Sequence, residues 1–477
     1  MPDKSLEEEI ENRSHKGGDA SETKAESILA PSDSEALPGI TVKEVLRLAL
    51  PAVAQLMLQS LVFLADRAML GRYSTDSLAS TLVSSTLYWC LYSTLSAFSV
   101  GAIALVGRAV GARERRLAGA AVRGSLLLAL GVGLAIALGS TLGLKPFLAL
   151  FTFGSTGVLA DADAYLDILL LAMPLQLVAI IAASVLQASG NTKIPFIVAI
   201  FANSINIFIN YWLIFGNFGA PALGVKGAAI GSFVAIAINA TILVAVLWRG
   251  TKALTLLGRG GELAALSRIL RVSLPAFSEM LFRSFCYMVY TAIIGSIGSV
   301  TMAAYEAMIG IEIVLVETAD GFGIAAAAIV SQQLGACRPS SAAAGTRVAI
   351  AIAATSLSIG SLLFFLIPDK LLGIFSRDPE IIATGVPGLY IAAIAQPFMA
   401  IALVLARALR GAGDTRSTLY ISVFGLFFIR ILGAYFFTMV LDLGLIGIWL
   451  GSTVDWIVRS GLLLLVFWRG KWQTIRV

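Results

Sequence analysis

Histidine, cysteine and charge are all scarce in this sequence. Its single histidine, His15, lies in a polar N-terminal stretch, so the rest of the chain has no histidine for general acid–base catalysis or metal binding. The three cysteines, Cys90, Cys286 and Cys337, are far apart, and their spacing indicates neither a disulfide framework nor a thiolate metal site. Because no other nucleophile–base or metal-ligand pattern occurs, we expect no enzyme, no structural metal and no resident cofactor.

The low content of charged residues is informative for a chain of this length. Only 13% of the 477 residues are charged and 58% are hydrophobic, whereas about a quarter of the residues in a soluble domain are charged. A soluble protein of this length needs charges to cover its surface, so most of the outer surface of this chain must face lipid. The net charge of +5 falls largely in the linkers between apolar segments, and we therefore expect no nucleic-acid partner.

Residues 1–40 differ in kind from the rest of the chain. They are acidic, rich in Ser, Ala and Gly, and almost free of large apolar side chains. Such a segment cannot bury enough apolar surface to offset the entropy of ordering. It also has neither the apolar core of a secretory signal nor the acid-poor composition of a transit peptide. We expect a disordered cytoplasmic tail.

Apolar stretches of about twenty residues, the length that crosses ~30 Å of hydrocarbon, follow one another after this tail. Helices are expected, because lipid offers no partner to unpaired backbone groups and the strand alternation of a barrel is absent. The prediction is an all-α polytopic membrane protein with twelve spans. We place the spans at 45–70, 78–108, 118–143, 163–187, 194–215, 225–248, 269–294, 302–331, 342–367, 381–406, 418–440 and 446–468.

Lysine and arginine indicate the orientation of these spans. They collect in the linkers from even-numbered to odd-numbered spans, as in Arg113, Arg115 and Arg116 after span 2 and Arg410 and Arg416 after span 10. Linkers rich in Lys and Arg face the cytoplasm. We therefore expect a multi-pass protein of the cell (inner or plasma) membrane with both termini in the cytoplasm.

The sequence contains an internal repeat. The segment "LRLALPA" at Leu46–Ala52 returns as "LRVSLPA" at Leu270–Ala276, with Pro51 and Pro275 separated by 224 positions. The segment "FSVGAIALVGRAVGA" returns as "FGIAAAAIVSQQLGA" at the same displacement. A fixed displacement that extends over six spans marks two parallel repeats, related by an axis along the membrane normal.

The repeat sets the predicted domain organisation. The two repeats are expected to form helical bundles around a central cleft, the usual architecture of an alternating-access carrier. Pro51 and Pro275 are expected to open the first span of each bundle, while Pro174 and Pro397 interrupt spans 4 and 10 and permit bending. The predicted units are an N-terminal six-helix bundle at 41–250, a cytoplasmic linker at 251–268 and a C-terminal six-helix bundle at 269–472.

Several segments carry a closer resemblance. The stretches "NTKIPFIVAIFANSINIFINYWLIFG", "GVKGAAIGS", "LVGRAVGA" and "RALRGAGDTRST", together with the two "LP" helix openings, resemble the multidrug and toxic compound extrusion (MATE) family in order and spacing. The resemblance implies a cation-coupled antiporter that exports amphipathic, often cationic, organic compounds in exchange for Na⁺ or H⁺. Its expected partners are these small molecules and membrane lipid, and we expect a monomer.

Two other transporter classes share part of this architecture. A lipid-linked precursor flippase of the same superfamily has the same arrangement of spans and stands as the alternative function. The major facilitator superfamily also has parallel six-plus-six halves, but its acidic–basic signature belongs between spans 2 and 3. That linker reads "GRAVGARERR" here, without the expected aspartate.

A cation-coupling site is predicted in the first bundle. Asp66 matches the span 1 aspartate that binds the coupling cation in MATE transporters, and Ser232 matches a hydroxyl that the family uses nearby. Asn203, Asn206 and Asn210 share an arc of ~60° on span 5, and amide oxygens can bind transient Na⁺ together with a carboxylate. Asn210 stands where the family often has an acid, which removes a titratable group. Interhelical hydrogen bonds, or pairing of the aspartate with a nearby arginine, are the structural alternatives.

Span 8 is rich in acids. On a helical wheel Glu306, Glu317 and Asp320 share an arc of ~60°, whereas Glu312 points ~120° away. Ionised groups in a membrane span need a reason, because each costs roughly 2.5–3.5 kcal/mol at the bilayer centre. We predict that the three acids line the central cavity and bind cationic substrate, protons or both.

Two further pairs of charges lie within the second bundle. Glu279 precedes Arg283 by four residues on span 7, the favoured order for an ion pair within a helix. Arg430 on span 11 and Asp455 on span 12 are placed deeply enough to neutralise each other. Each pair has a structural and a functional interpretation at this point, and we include Glu279, Arg430 and Asp455 among the candidate cavity residues.

Overall fold

The structure is a computed structural model that describes residues 40–143 and 156–477, except 252, 257 and 259. Every regular element in these ranges is a helix. Apart from Ile40, the predicted tail lies outside the described residues, so its predicted disorder stays a prediction.

The twelve predicted spans are present in the described part of the chain. Eleven helices of the described residues are long and apolar enough to cross a membrane, and one bent pair of helices, counted as a single span, makes twelve candidates. In chain order the spans are Val42–Tyr73 (span 1), Thr75–Leu95 with Phe98–Gly111 (span 2), Arg115–Gly143 (span 3), Thr156–Leu171 with Met173–Ala188 (span 4), Lys193–Phe215 (span 5), Val225–Arg249 (span 6), Glu262–Ile297 (span 7), Ser299–Gly335 (span 8), Pro339–Leu366 (span 9), Pro379–Ala412 (span 10), Thr415–Val440 (span 11) and Gly444–Trp468 (span 12). Spans 1–6 are the first half and spans 7–12 the second half.

The first span of each half begins earlier than the prolines suggested. Pro51 and Pro275 both lie inside their helices rather than at the start. Span 1 begins after Thr41, whose side chain and that of Glu44 form a reciprocal capping box. Span 7 begins at Glu262, so the end of the predicted linker 251–268 is helical.

The other two prolines differ from each other. Span 4 bends by 51° between its two helices, and Pro174 occupies the first turn of the second helix, where a missing backbone donor costs little. Pro397, by contrast, lies inside the continuous helix of span 10. The predicted interruption is therefore present in span 4 and absent in span 10.

The two halves pack against each other at one end of the molecule, which we call the terminal face. Both Ile40 and Val477 lie there, next to the ends of even-numbered spans. Hydrogen bonds join the even-numbered spans of the two halves at this face: Arg108 Nη2 donates to the carbonyl of Ala412 at 2.8 Å, and Gln332 Nε2 donates to that of Ala188 at 2.6 Å. The terminal face is closed in this conformation.

Two glycines make this closure possible. A Cβ atom on Gly111 of span 2 would overlap the carbonyl of Gln332 on span 8, and a Cβ on Gly335 would overlap the carbonyl of Arg108. The backbones of spans 2 and 8 are thus in direct contact. Such close approach of helices in a membrane requires small residues.

Candidate functional site

A cavity of about 600 Å³ lies between the two halves, within the size range of small-molecule sites. The first half contributes a wall of amide, hydroxyl and aromatic side chains. Its polar and aromatic lining residues are Gln55, Gln59, Trp89, Tyr92, Ser93, Ser96, Ser99, Gln176, Ser184, Gln187 and Asn239. Among the described residues of this wall none carries a charge.

The second half contributes the charged wall. Four carboxylates and five guanidinium groups from the described residues line it, so the wall lacks the excess of acid that the sequence led us to expect. The carboxylates are Glu279, Glu312, Glu317 and Asp320, and the guanidinium groups are Arg283, Arg407, Arg410, Arg430 and Arg459.

The acids of span 8 do not all face the cavity. Glu317 and Asp320 line it, but Glu306 is exposed and lies outside the lining. Glu312, which the helical wheel placed on another face, lines the cavity and accepts a 2.7 Å hydrogen bond from Gln396 Nε2. A helical wheel gives only the directions of side chains relative to one another within one helix. Which of these side chains reach the cavity depends also on its width and curvature.

Asp320 and Glu317 have different partners. Arg407 of span 10 donates to both carboxylate oxygens of Asp320, from Nε at 3.2 Å and from Nη2 at 2.7 Å, and this bidentate pair is half-buried. Glu317 accepts one hydrogen bond, at 3.3 Å, from Ser60 Oγ of span 1. Asp320 is thus held by an arginine, whereas Glu317 connects the two halves through a neutral partner.

Glu279 forms a different pair from the one that its sequence spacing suggested. It is 2% exposed and pairs with Arg410 of span 10. Ser422 Oγ and Thr418 Oγ1 of span 11 also donate to it, at 2.7 and 3.2 Å. Arg283, four residues away on the same helix, donates instead to the sulfur of Met280 at 2.8 Å.

The predicted pair of Arg430 and Asp455 is present, with 2.9 Å between Nε and Oδ2. Asp455 is fully buried and also pairs with Arg459 on its own helix. Gly425 provides room for this cluster, because a Cβ there would overlap Asp455. Arg430 lies in a π-helical stretch of span 11, a feature frequent at functional sites.

The first half contains a separate polar cluster, which we call the span 1–5 cluster: Asp66, Asn206 and Asn210. Asn210 Nδ2 donates to Asp66 Oδ1 at 2.7 Å and to Asn206 Oδ1 at 3.2 Å. Both asparagines are buried and the aspartate is half-buried. None of the three belongs to the lining of the central cavity. Two arginines, Arg67 and Arg72, were the alternative partners of the aspartate; neither pairs with it among the described residues, and Arg67 lies over the ring of Phe63, 4.2 Å from its centroid.

The other side of Asn210 faces span 6. Its Oδ1 is buried without a hydrogen-bond partner among the described residues, and Gly231 leaves the space that this oxygen occupies. Ser232 follows on the same helix and is half-buried, as is Asn203 on span 5. A buried carbonyl oxygen without a partner normally costs stability, which makes this oxygen a candidate ligand.

The cluster offers the ligand types that a hard monovalent cation prefers. It contains one carboxylate and two amide carbonyl groups and no basic side chain, and rotation of the Asn210 amide would turn its free oxygen toward Asp66 and Asn206. These residues therefore fit Na⁺. The described residues contain no group of three His, Cys, Asp or Glu side chains that could hold a transition metal.

Sequence reasoning missed the arginines of span 10 as site residues. The basic residues near the end of this span, Arg410 among them, served only as evidence for orientation, yet Arg407 and Arg410 each pair with a cavity carboxylate. The signal was available: the run "ALVLARALRGAGD" continues the apolar span past both of them. Gln396 of span 10, the partner of Glu312, carried no such signal, because the sequence does not show which helix an isolated glutamine in a membrane span contacts.

Comparison with known proteins identifies the family. The MatE family model matches residues 51–212 and a second time residues 275–436, the same displacement of 224 positions as the repeat. The chain belongs to the MATE family. A probable multidrug resistance protein NorM of Thermotoga maritima is 30% identical over 90% of this chain and 93% of its own length. An uncharacterized transporter, YisQ of Bacillus subtilis, is 26% identical over 85% of this chain and 90% of its own length.

Solved structures show the same MATE fold. A multidrug resistance MATE family transporter in an outward-facing conformation superposes with a TM-score of 0.83 at 18% identity, over 90% of this chain and 95% of that one. A MOP superfamily transporter from Pyrococcus furiosus, described as having a binding pocket of reverse polarity, superposes with a TM-score of 0.82 at 18% identity, over 91% and 97%. At these identities the likeness establishes the fold of this multi-pass helical membrane protein.

Proposed function

We propose that this protein is a cation-coupled antiporter that exports amphipathic or cationic organic compounds by alternating access. The observation that carries the proposal is the cavity of about 600 Å³ between two repeated halves, closed at the terminal face by helix backbones in contact. A carrier needs a binding site between its halves that opens in turn to the two sides of the membrane. The relatives described as multidrug resistance proteins support this substrate class.

The orientation follows from charge. The arginine-rich linkers lie on the terminal face, and positive linkers remain in the cytoplasm. With both termini in the cytoplasm, the described conformation is closed toward the cytoplasm. Export then requires the halves to separate at the terminal face so that substrate can enter the cavity from inside.

The coupling ion, Na⁺ or H⁺, binds at the span 1–5 cluster in this proposal. A carboxylate half-buried beside two asparagines is poorly solvated, so a cation or proton that neutralises it stabilises the cluster. Because the cluster lies outside the central cavity, ion and substrate do not compete for the same atoms. Antiport then requires that each ligand favours a different conformation of the two halves.

Dye accumulation in cells tests the proposed function. The protein is expressed in bacteria that lack their own multidrug exporters, and the uptake of ethidium is recorded by fluorescence. We expect lower steady-state fluorescence than in cells with empty vector, and we expect an ionophore that collapses the Na⁺ or the H⁺ gradient to abolish the difference. Equal fluorescence with and without the protein, at confirmed membrane expression, would contradict export of cations.

The flippase alternative predicts a different phenotype. A lipid-linked precursor carries phosphates, and the cavity offers little surplus positive charge to bind them, because most of its arginines are paired with carboxylates. A flippase deletion would let unflipped precursor accumulate without a change in drug sensitivity. Measuring both in a deletion strain separates the two functions.

A further inference from the structure

The charged wall of the cavity contains one guanidinium group that differs from the others. Each of the other four pairs with a carboxylate: Arg407 with Asp320, Arg410 with Glu279, and both Arg430 and Arg459 with Asp455. Arg283 of span 7 also lines the cavity and is half-buried. Within the described residues no carboxylate oxygen lies within 4 Å of its guanidinium nitrogens.

The protein partner of Arg283 is a weak one. Its Nη2 donates to the thioether sulfur of Met280, a poor acceptor that carries no charge. Arginine remains protonated in proteins, so this positive charge persists when the cavity is shielded from water. A cation held in a partly desolvated wall is stabilised by an anion that enters the cavity.

The nearest carboxylates are not free to serve as that anion. Glu279, the acid one turn away, is occupied by Arg410, Thr418 and Ser422. Asp320 is held at both oxygens by Arg407. Because both acids are already paired, the guanidinium group of Arg283 remains available to a ligand in the cavity.

We propose that Arg283 is an anion-binding subsite of the central cavity, which binds a carboxylate group on the transported compound. The planar guanidinium fork matches a carboxylate with two parallel hydrogen bonds. Glu317, whose only described bond is to a serine hydroxyl, faces the same cavity and complements a positive group. The preferred substrate is thus an amphipathic compound that carries both a carboxylate and a cation, which deepens and rests on the proposed export function.

The remaining wall suits the aromatic body of such a compound. Trp89 of the first half and Tyr287 of the second line the cavity with their ring centroids 6.0 Å apart. Aromatic faces stabilise flat and cationic ligands. The inferred subsites are therefore an aromatic pair, a carboxylate and a guanidinium group within one cavity of about 600 Å³.

A pair of dyes that differ only in one group tests the subsite. Tetramethylrhodamine has a free benzoate, and its methyl ester has the same rings and cation without the acid. The transport of both is measured in proteoliposomes that contain the full chain, and the readout is the ratio of the carboxylate rate to the ester rate. We expect Arg283→Gln to lower this ratio by about tenfold, while Arg283→Lys, which keeps the charge and loses the fork, lowers it by about threefold.

Arg271→Gln is the matched control, since Arg271 is on the same helix, is exposed and does not line the cavity. Its ratio should equal that of the wild type. An unchanged ratio in both Arg283 variants, or transport of the ester alone by the wild type, overturns the subsite. If Arg283→Gln does not elute as a folded protein, Arg283→Lys decides by the same criterion. Transport of neither dye by the wild type contradicts the proposed export function instead.

Discussion

Arginine partners decide which acids of the cavity are free to bind a ligand. Glu279 and Asp320 are each held by an arginine of span 10, whereas Glu317 has only a neutral partner, the hydroxyl of Ser60. A carboxylate that is already paired gains little from a second cation. At the scale of single residues, Glu317 is therefore the acid of the cavity to which we assign cationic substrate.

Replacing Glu317 by glutamine keeps the shape of the side chain and removes its charge. We expect the affinity for a cationic dye to fall by about tenfold or more, because a hydrogen bond to a charged group is worth about 1.5–3 kcal/mol. Dye binding to purified protein measures the effect by fluorescence polarisation. Glu306→Gln, an exposed residue of the same helix outside the cavity lining, is the control. Equal loss in both variants would refute a specific role for Glu317.

Local sequence patterns predicted some residue contacts and missed others. The spacing of Asn206 and Asn210 on span 5 correctly put them on one face, where they meet Asp66. The i, i+4 rule paired Glu279 with Arg283, but the rule sees only one helix, and Arg410 reaches Glu279 from span 10. Partners that lie more than a hundred residues away depend on how the helices pack, which a single sequence does not specify.

Glycine positions control how closely the helices approach. Within the first half, the hydrogen bond from Asn210 to Asp66 and the space at Gly231 join spans 1, 5 and 6 around one cluster. Between the halves, Gly111 and Gly335 bring spans 2 and 8 into backbone contact. Among the helices, these contacts set the geometry of the span 1–5 cluster and the closure of the terminal face.

Gly231→Ala tests the first of these contacts. The added Cβ would overlap the Oδ1 of Asn210, so we expect the amide to move and the free energy of unfolding to fall by about 1–3 kcal/mol. Thermal unfolding in detergent, with and without 100 mM NaCl, measures the change, and any stabilisation by Na⁺ should be smaller than in wild type. Gly295→Ala, where the Cβ meets nothing within 4 Å, serves as the control. Identical behaviour of the two variants would speak against the packing of Asn210 on span 6.

Gly111→Ala tests the second contact. A methyl group there pushes the carbonyl of Gln332 away, so we expect the terminal face to open more often. Spin labels are placed on the linkers after spans 2 and 8. The distances between them, measured by double electron–electron resonance, should shift toward longer values. Gly131→Ala, which has open space around its Cβ, should leave them unchanged. A distance distribution identical to that of the wild type would contradict a seam held by backbone contact.

The two halves repeat one fold but have diverged in chemistry. The family model matches both at a displacement of 224 positions, and hydropathy alone located all twelve spans, because span length and repetition are local properties of the sequence. The distribution of charged side chains differs between the halves: the first half has the span 1–5 cluster and a neutral cavity wall, and the second half has the charged wall. For the whole molecule, we therefore propose that the coupling ion binds in the first half and the charged end of the substrate in the second.

In the proposed mechanism a cation gradient drives export through Asp66. The most direct measurement is the transport of a fluorescent cation in proteoliposomes, with an inward Na⁺ or H⁺ gradient imposed separately. We expect one gradient to accelerate transport by at least tenfold in the wild type and in Asp369→Asn, a control at an exposed site, and to have no effect in Asp66→Asn. Acceleration of equal size in Asp66→Asn, or transport that ignores both gradients, would contradict it.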